Sequence, residues 1–323
     1  MHNFGVMKLT AAVSVLAATL ITACGESPGG NFNPGTNATW LWNGSSWSTL
    51  SATDGNSGLN LVYWKDFGGL VGLKGDWSAV RWNGAHWVPD SALPGPPPGS
   101  SQSLSSGGSE SLSSSSLVLD EANDQLLAIG LDAKTVWGWS NGAWAPVVLP
   151  KQWPSGLQMS RLIYDPNRRN VLIFASTTSD PSRAETWTWD GRALKRASPE
   201  AIPFAVTELL YVVPDEAGHI LALGWNGGFS WDGARWSPVG PACPASRLGQ
   251  IGMAYDAAHK ELIAVGSYED GSAGTWLWQQ GGWKRVATVS APSGGLSSLV
   301  YDPELAGLVL TTFPISGCCW FEC

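Results

Sequence analysis

One short pattern is written six times along this chain, and few folds can accommodate it. Its centre is a large aromatic at Trp42, Trp82, Trp139, Trp189, Trp231 and Trp278. Two residues before each stands Trp40, Val80, Trp137, Trp187, Phe229 or Trp276. Five residues after each comes Trp47, Trp87, Trp144, Leu194, Trp236 or Trp283. Alternation of period two sets the first pair on one face of a strand. Between the strand and the third residue lie Asn-Gly at 43–44, 83–84 and 141–142, and Asp-Gly at 190–191 and 232–233. These dipeptides tolerate the positive φ that tight hairpin turns require. The sixth copy, Gln279-Gln280-Gly281-Gly282, is a glycine variant. Each unit therefore predicts strand, turn, strand, with bulky side chains meeting on one face.

A second element precedes every hairpin but the first. Its marker is Trp64, Asp120, Asp165, Asp215, Asp256 or Asp302, followed six residues later by Leu70, Leu126, Val171, Leu221, Leu262 or Leu308. Apolar runs on either side, such as Leu162-Ile163-Tyr164 and Val171-Leu172-Ile173-Phe174, read as strands. Asp-Pro at 165–166 and 302–303 is turn chemistry, since Asp bonds nearby backbone and Pro fixes φ. Four strands in roughly 40 to 57 residues is the size of a propeller blade.

Five complete units follow one another: Asn60–Asp90, Ser116–Leu149, Arg161–Ala197, Glu208–Val239 and Gln250–Ala287. The chain opens on a hairpin without its strand pair, Trp40–Leu50, and closes on a strand pair without its hairpin, Ser298–Phe313. Joining the two closes a ring and removes the free edges. The expectation is an all-β, six-bladed β-propeller of four-stranded blades, spanning residues 38–323. Cys318-Cys319-Trp320-Phe321 stands at the spacing of another third strand and would compete with Trp40–Asn43. Seven blades is the alternative, but only six markers exist. Residues 91–116 hold Pro94-Gly95-Pro96-Pro97-Pro98 and a Ser/Gly/Leu tract, too poor in apolar surface to offset ordering entropy, so a disordered loop is expected.

The run Tyr164-Asp165-Pro166, Val171-Leu172-Ile173-Phe174, Thr186-Trp187-Thr188-Trp189-Asp190-Gly191 resembles the bacterial kelch-type repeat. Tyr255-Asp256 with Thr275-Trp276-Leu277-Trp278 repeats it. The resemblance implies blades of four strands around a central channel.

At the N-terminus, Lys8 precedes a short apolar segment from Thr10 to Ile21, which is the pattern of a secretory signal. Its end, Ile21-Thr22-Ala23-Cys24, resembles the lipobox of bacterial lipoproteins. That resemblance implies a signal peptide over 1–23, acylation of Cys24 (palmitate among its chains), and a tether over 24–37. Gly25 follows the cysteine, which by the same resemblance favours the outer membrane over the inner. An ordinary secreted protein is the alternative.

The net charge of −8 excludes a basic nucleic-acid footprint. His2, His86, His219 and His259 form no pair at metal-ligand spacing, so no metal and no cofactor are expected. The recurrent aspartates fall at turns and read as structural, and no nucleophile elbow or phosphate loop is present. Cys243, Cys318, Cys319 and Cys323 are an even set in an exported chain and are disulfide candidates, with three connectivities open. No catalytic residue is assigned. The expected function is a membrane-anchored, monomeric binding scaffold of the cell envelope that takes an unknown protein or carbohydrate ligand through loops on one face of the ring. A carbohydrate-binding propeller using Trp pockets between blades is the alternative, and a hydrolase or lyase with its site at the channel mouth is a third.

Overall fold

The structure is a computed structural model. It describes residues 37–52, 59–74, 78–92, 117–129, 136–151, 153, 157–177, 180–198, 209–215, 217–224, 227–240, 248–268, 273–279, 282–286, 292 and 295–314. The signal segment, Cys24, most of the tether, the 93–116 tract and the four remaining cysteines lie outside the described residues.

The chain begins with the hairpin β1 (Ala38–Trp42) and β2 (Trp47–Ser51). Five antiparallel sheets follow. Blade 1 is β3 (Asn60–Trp64), β4 (Gly69–Leu73), β5 (Ala79–Trp82) and β6 (Trp87–Pro89). Blade 2 is β7 (Leu117–Asp120), β8 (Gln125–Ile129), β9 (Val136–Ser140) and β10 (Ala143–Pro146). Blade 3 is β11 (Leu157–Asp165), β12 (Asn170–Thr177), β13 (Asp180–Trp189) and β14 (Leu194–Arg196). Blade 4 is β15 (Leu209–Pro214), β16 (Ile220–Gly224), β17 (Gly227–Trp231) and β18 (Trp236–Val239). Blade 5 is β19 (Leu248–Asp256), β20 (Glu261–Tyr268), β21 (Ala273–Gln279) and β22 (Gly282–Val286). The last pair is β23 (Gly295–Asp302) and β24 (Gly307–Phe313).

Blade 6 has the order β2-β1-β24-β23, so both chain ends share one sheet. Thr39 pairs with Thr311 and Trp42 with Leu308. The N-terminal hairpin thus holds the place for which the 318–321 segment competed, and the ring has six blades, not seven. The first strands of the blades touch in cyclic order, β3, β7, β11, β15, β19, β23 and back to β3, which defines the central axis.

The constant offset of five residues turns out to be a register. Trp42 faces Trp47, Trp82 faces Trp87, Trp139 faces Trp144, Trp189 faces Leu194, Trp231 faces Trp236 and Trp278 faces Trp283. The turn between them differs from the expectation in most copies. Asn43, Asn83, Asp190 and Asp232 keep a negative φ, and only the glycine after each is left-handed. Their side-chain oxygen instead accepts the N–H groups two and three residues on, as Asn43 Oδ1 does from Ser45 and Ser46 at 3.1 and 3.0 Å. Among the described residues of these turns, only in blade 2 are both left-handed, Asn141 at φ 51° and Gly142 at 81°. There the dipeptide lies one residue further on, central between the paired Ser140 and Ala143. A four-residue loop with Asn first is closed by the side chain; with Asn-Gly at its centre it is closed by backbone twist.

Each interface between blades holds one apolar cluster. Each cluster contains the inner tryptophan of the trailing blade, packed back on its predecessor: Trp139 on blade 1, Trp189 on blade 2, Trp231 on blade 3, Trp278 on blade 4, Trp42 on blade 5 and Trp82 on blade 6. Five of the six are buried, at 0 to 9 % exposure; Trp278 is only partly covered.

A polar stitch accompanies the wedge. The outer tryptophan of a blade donates its indole N–H to a threonine three residues before the inner tryptophan of the preceding blade. Trp87 reaches Thr39 at 2.9 Å, Trp47 reaches Thr275 at 2.9 Å and Trp236 reaches Thr186 at 2.8 Å. All three threonines are fully buried. Where the donor is Leu194, the equivalent partner is Val136, in the same cluster. At the junction of blades 4 and 5 the donor Trp283 meets Gly228 at the threonine position, and the Trp283 indole nitrogen is buried with no hydrogen-bond partner among the described residues.

Removing a buried acceptor strands its donor at a cost of about 1–3 kcal/mol. Thr186→Val is expected to lower stability by that amount in chemical denaturation, and to cost far less when Trp236→Phe has already removed the donor. Trp189→Ala, which empties a buried wedge, is expected to cost about 3–5 kcal/mol; an unchanged melting temperature would contradict its place in the interface.

Candidate functional site

The first and second strands of five blades are joined by a tight turn that ends in a left-handed residue, Gly68, Asp124, Arg169, Lys260 or Ala306; in blade 4 the left-handed residue, Gly218, comes one position earlier, and His219 follows it before β16. The aspartate marker holds this turn. Asp165 Oδ1 accepts from Asn167 and Arg168 at 3.0 and 3.1 Å, and Asp302 Oδ1 from Glu304 and Leu305 at 2.8 and 3.1 Å. Blade 1 carries Trp64 instead. Its turn is a single 3-10 turn, Lys65–Phe67, and the indole of Trp64 donates to Asp124 Oδ1 of blade 2 at 2.6 Å.

The residue just before the left-handed position covers the next blade. Phe67 packs on Trp139 with ring centroids 5.3 Å apart. Asn123 and His259 fill the space over Gly191 and Gly44, where no further side chain would fit. Arg168 lies over Gly233, donates to the Asp232 carbonyl, and is held from below by Asp165 at 2.8 Å. Leu305 stands at the same place in blade 6 and is 37 % exposed. In blade 4 the residue is Ala217, a single methyl group before Gly218.

The missing cover leaves a cleft of about 500 Å³ between blades 4 and 5. Its lining is Asp215, His219, Leu221, Ser230, Asp232, Ser237, Val239, Gly240 and Trp278. Side chains alternate along β16, β17 and β18. Ile220, Ala222 and Trp231 therefore join the cluster toward blade 3, and Leu221 and Val239 join the one toward blade 5. Ser230 and Ser237 are short on that same face and line the cleft. Trp278 forms the opposite wall. Trp283 stands edge-on to it, with centroids 5.1 Å apart and planes at 73°, and fixes its orientation.

The polar groups of the cleft are themselves held. Asp215 Oδ1 accepts the His219 N–H at 2.8 Å, and Asp215 Oδ2 lies 3.4 Å from His219 Nδ1. Asp232 Oδ1 accepts from Ala234 and Arg235, both at 2.8 Å. Those backbone donors, with the nearby Arg235 and Arg168 charges, hold the Asp232 carboxyl below its ordinary pKa.

Of the repeat residues singled out in the sequence, Trp42, Trp82, Trp139, Trp189 and Trp231 are interface wedges, and Trp278 alone lines the cleft. Cys24, Cys243, Cys318, Cys319 and Cys323 lie outside the described residues. Among the described residues no three His, Cys, Asp or Glu side chains gather as a metal site. From the sequence, His219 is considered only as a metal ligand, and the small residues of blade 4 are not singled out. The available signal is the comparison of turns: three residues after the marker stand Phe67, Asn123, Arg168, His259 and Leu305, and in blade 4 Gly218, with Ala217 before it.

No family model matches this sequence, and no curated protein does. Similar solved structures include AofleA from Arthrobotrys oligospora, at 13% identity and TM-score 0.46, covering 89% of each chain. The fucose-specific lectin from Aleuria aurantia shows 14% identity and TM-score 0.44 over 77% of this chain and 84% of its own. XC5397 from Xanthomonas campestris, described as a gluconolactonase, shows 12% identity and TM-score 0.46 over 87% of this chain and 88% of its own. Likeness at this level concerns the course of the chain and not its ligand.

Burial pushes the carboxyls of Asp120 and Asp302 above their ordinary 3.8, whereas Lys195 and the Ala193 and Arg192 N–H groups pull exposed Asp190 down to about 2. A raised pKa means that the folded state holds the proton more tightly than the unfolded chain. The Asp302 contribution is then complete below pH 3.8 and is lost as pH rises through the folded value. Asp302→Asn keeps an oxygen for the Glu304 and Leu305 N–H groups and removes the ionisation. Its stability relative to wild type is expected to rise between pH 4 and pH 7 in denaturant titrations, and a flat difference would contradict the assignment.

Proposed function

We propose that this chain is an exported binding protein, anchored in the cell envelope through acylated Cys24, with a kelch-like propeller that takes its ligand in the cleft between blades 4 and 5. The observation that carries the reading is Trp278. Its five counterparts are buried wedges, and it alone presents part of its ring to an open cleft. A cleft of about 500 Å³ falls within the ~300–1,000 Å³ range of small-molecule sites. Its walls are strands of two packed sheets, so the seat is formed before a ligand arrives. Binding fits this lining better than turnover. Asp215 and Asp232 each spend an oxygen on the backbone of their own turn, which fixes them as positioned acceptors.

Two measurements test the reading. Palmitate labelling and membrane fractionation should follow Cys24; Cys24→Ser is expected to lose the label and leave the membrane fraction. Ser237→Leu fills the cleft from an exposed position on β18. In a thermal-shift screen of small metabolites, a ligand at a hundredfold excess over its Kd is expected to add about 2.7 kcal/mol to wild type and nothing to Ser237→Leu. Ligands that shift both proteins equally would place the seat elsewhere.

A further inference from the structure

Resting on the cleft reading above, we infer that its ligand is a neutral saccharide ring, stacked on the exposed face of Trp278 and hydrogen-bonded along its rim by Asp215, His219, Ser230, Asp232 and Ser237. The lining divides into two kinds of surface. One wall is a flat indole whose plane Trp283 fixes from the side. The other is a row of short polar groups on blade 4, with Leu221 and Val239 beneath them. A pyranose has the same division, with an apolar C–H face and a rim of hydroxyls. An indole offers a large rigid apolar area at little entropic cost, and hydroxyls that lose water on burial need partners.

The partners match in kind. Hydroxyl groups both donate and accept. The carboxylates of Asp215 and Asp232 accept, the serine hydroxyls do either, and the His219 ring offers one donor and one acceptor when neutral. A carboxylate held by backbone donors cannot swing away, which favours a ligand of fixed hydroxyl geometry.

Two acids and an aromatic wall also suit an organic cation. Local charge argues against it. Asp232 lies beside both Arg168 and Arg235, and Arg168 bonds its carbonyl. Asp215 faces His219. An anionic ligand is excluded in turn by the two carboxylates. What remains is a neutral ligand rich in hydroxyls.

The test uses the full chain and calorimetric titration with a panel of methyl glycosides of neutral hexoses, deoxyhexoses and pentoses. Tetramethylammonium and arginine methyl ester serve as cationic probes. The variants are Trp278→Ala, Ser237→Leu and Ala217→Arg, the last adding a long side chain beside the left-handed Gly218. Leu305→Ala, in the exposed turn of blade 6 and outside the cleft lining, is the control. The expected result is saturable binding of at least one glycoside, weakened tenfold or more in all three variants and unchanged in the control. Cationic probes that bind in a Ser237→Leu-sensitive way, with no glycoside binding, would overturn the saccharide assignment and leave the cleft as the seat. Glycoside binding indifferent to Ser237→Leu and Ala217→Arg would overturn the placement even if Trp278→Ala proved poorly folded. Silence from every probe would sink the saccharide assignment, while the cleft itself stands or falls on the thermal-shift comparison of wild type with Ser237→Leu.

Discussion

The fold depends on one contact repeated around a circle: a tryptophan near the end of a third strand driven into the sheet behind it. A sheet is apolar on both faces only if it is covered on both faces. Each blade here is covered by its neighbours, so no blade is stable alone, and the contact that covers the last must be the one that covers the first. The inner tryptophans supply this in one direction, each belonging to the cluster that its blade shares with the blade before it. Their size suits the wedge shape between sheets that fan outward from an axis, narrow where the first strands meet and wide toward the rim.

The Trp-to-Thr stitch adds direction and specificity to that contact. A buried indole N–H needs an acceptor, and a buried threonine hydroxyl needs a partner, so the pair fixes how neighbouring sheets are set against one another. Blade 6, the sheet assembled from both chain ends, is stitched on both flanks, through Trp47 to Thr275 and through Trp87 to Thr39. The blade 3–4 junction carries the stitch as well, through Trp236 to Thr186, and the blade 4–5 junction, with Gly228 at the threonine position, lacks it.

How much of this was legible in the sequence differs by element. The six hairpins were legible because an offset of five between large residues is a cross-strand register, and no insertion elsewhere can alter it. Ring closure was legible because a hairpin without its strand pair and a strand pair without its hairpin complete each other. The turn type was not, since Asn-Gly closes a hairpin either by its side chain or by its backbone twist, and a shift of one residue between Asn43 and Asn141 decides which. The stitch was written as Thr39, Thr186 and Thr275, each three residues before an inner tryptophan, but its partner lies in another repeat. Periodicity within a repeat cannot reveal a contact between repeats. The cleft was harder still, because it arises from a residue that is small.

That last point bears on how such a ring gains a ligand site at all. A repeat that stacks well leaves no space, and here Phe67, Asn123, Arg168 and His259 all reach across to close the gap to the next blade. The positions needed for stacking are therefore poor candidates for binding. The useful departures are those that remove a covering group without removing the wedge beneath it. The blade 4 turn, with Ala217 and Gly218, is such a departure, and Leu221 and Leu223 still pack in the cluster beneath the cleft. The cost of the opening is confined to a junction that the chain itself holds together. The indole it exposes is the same group that closes every other junction, so the site uses a part the fold already required.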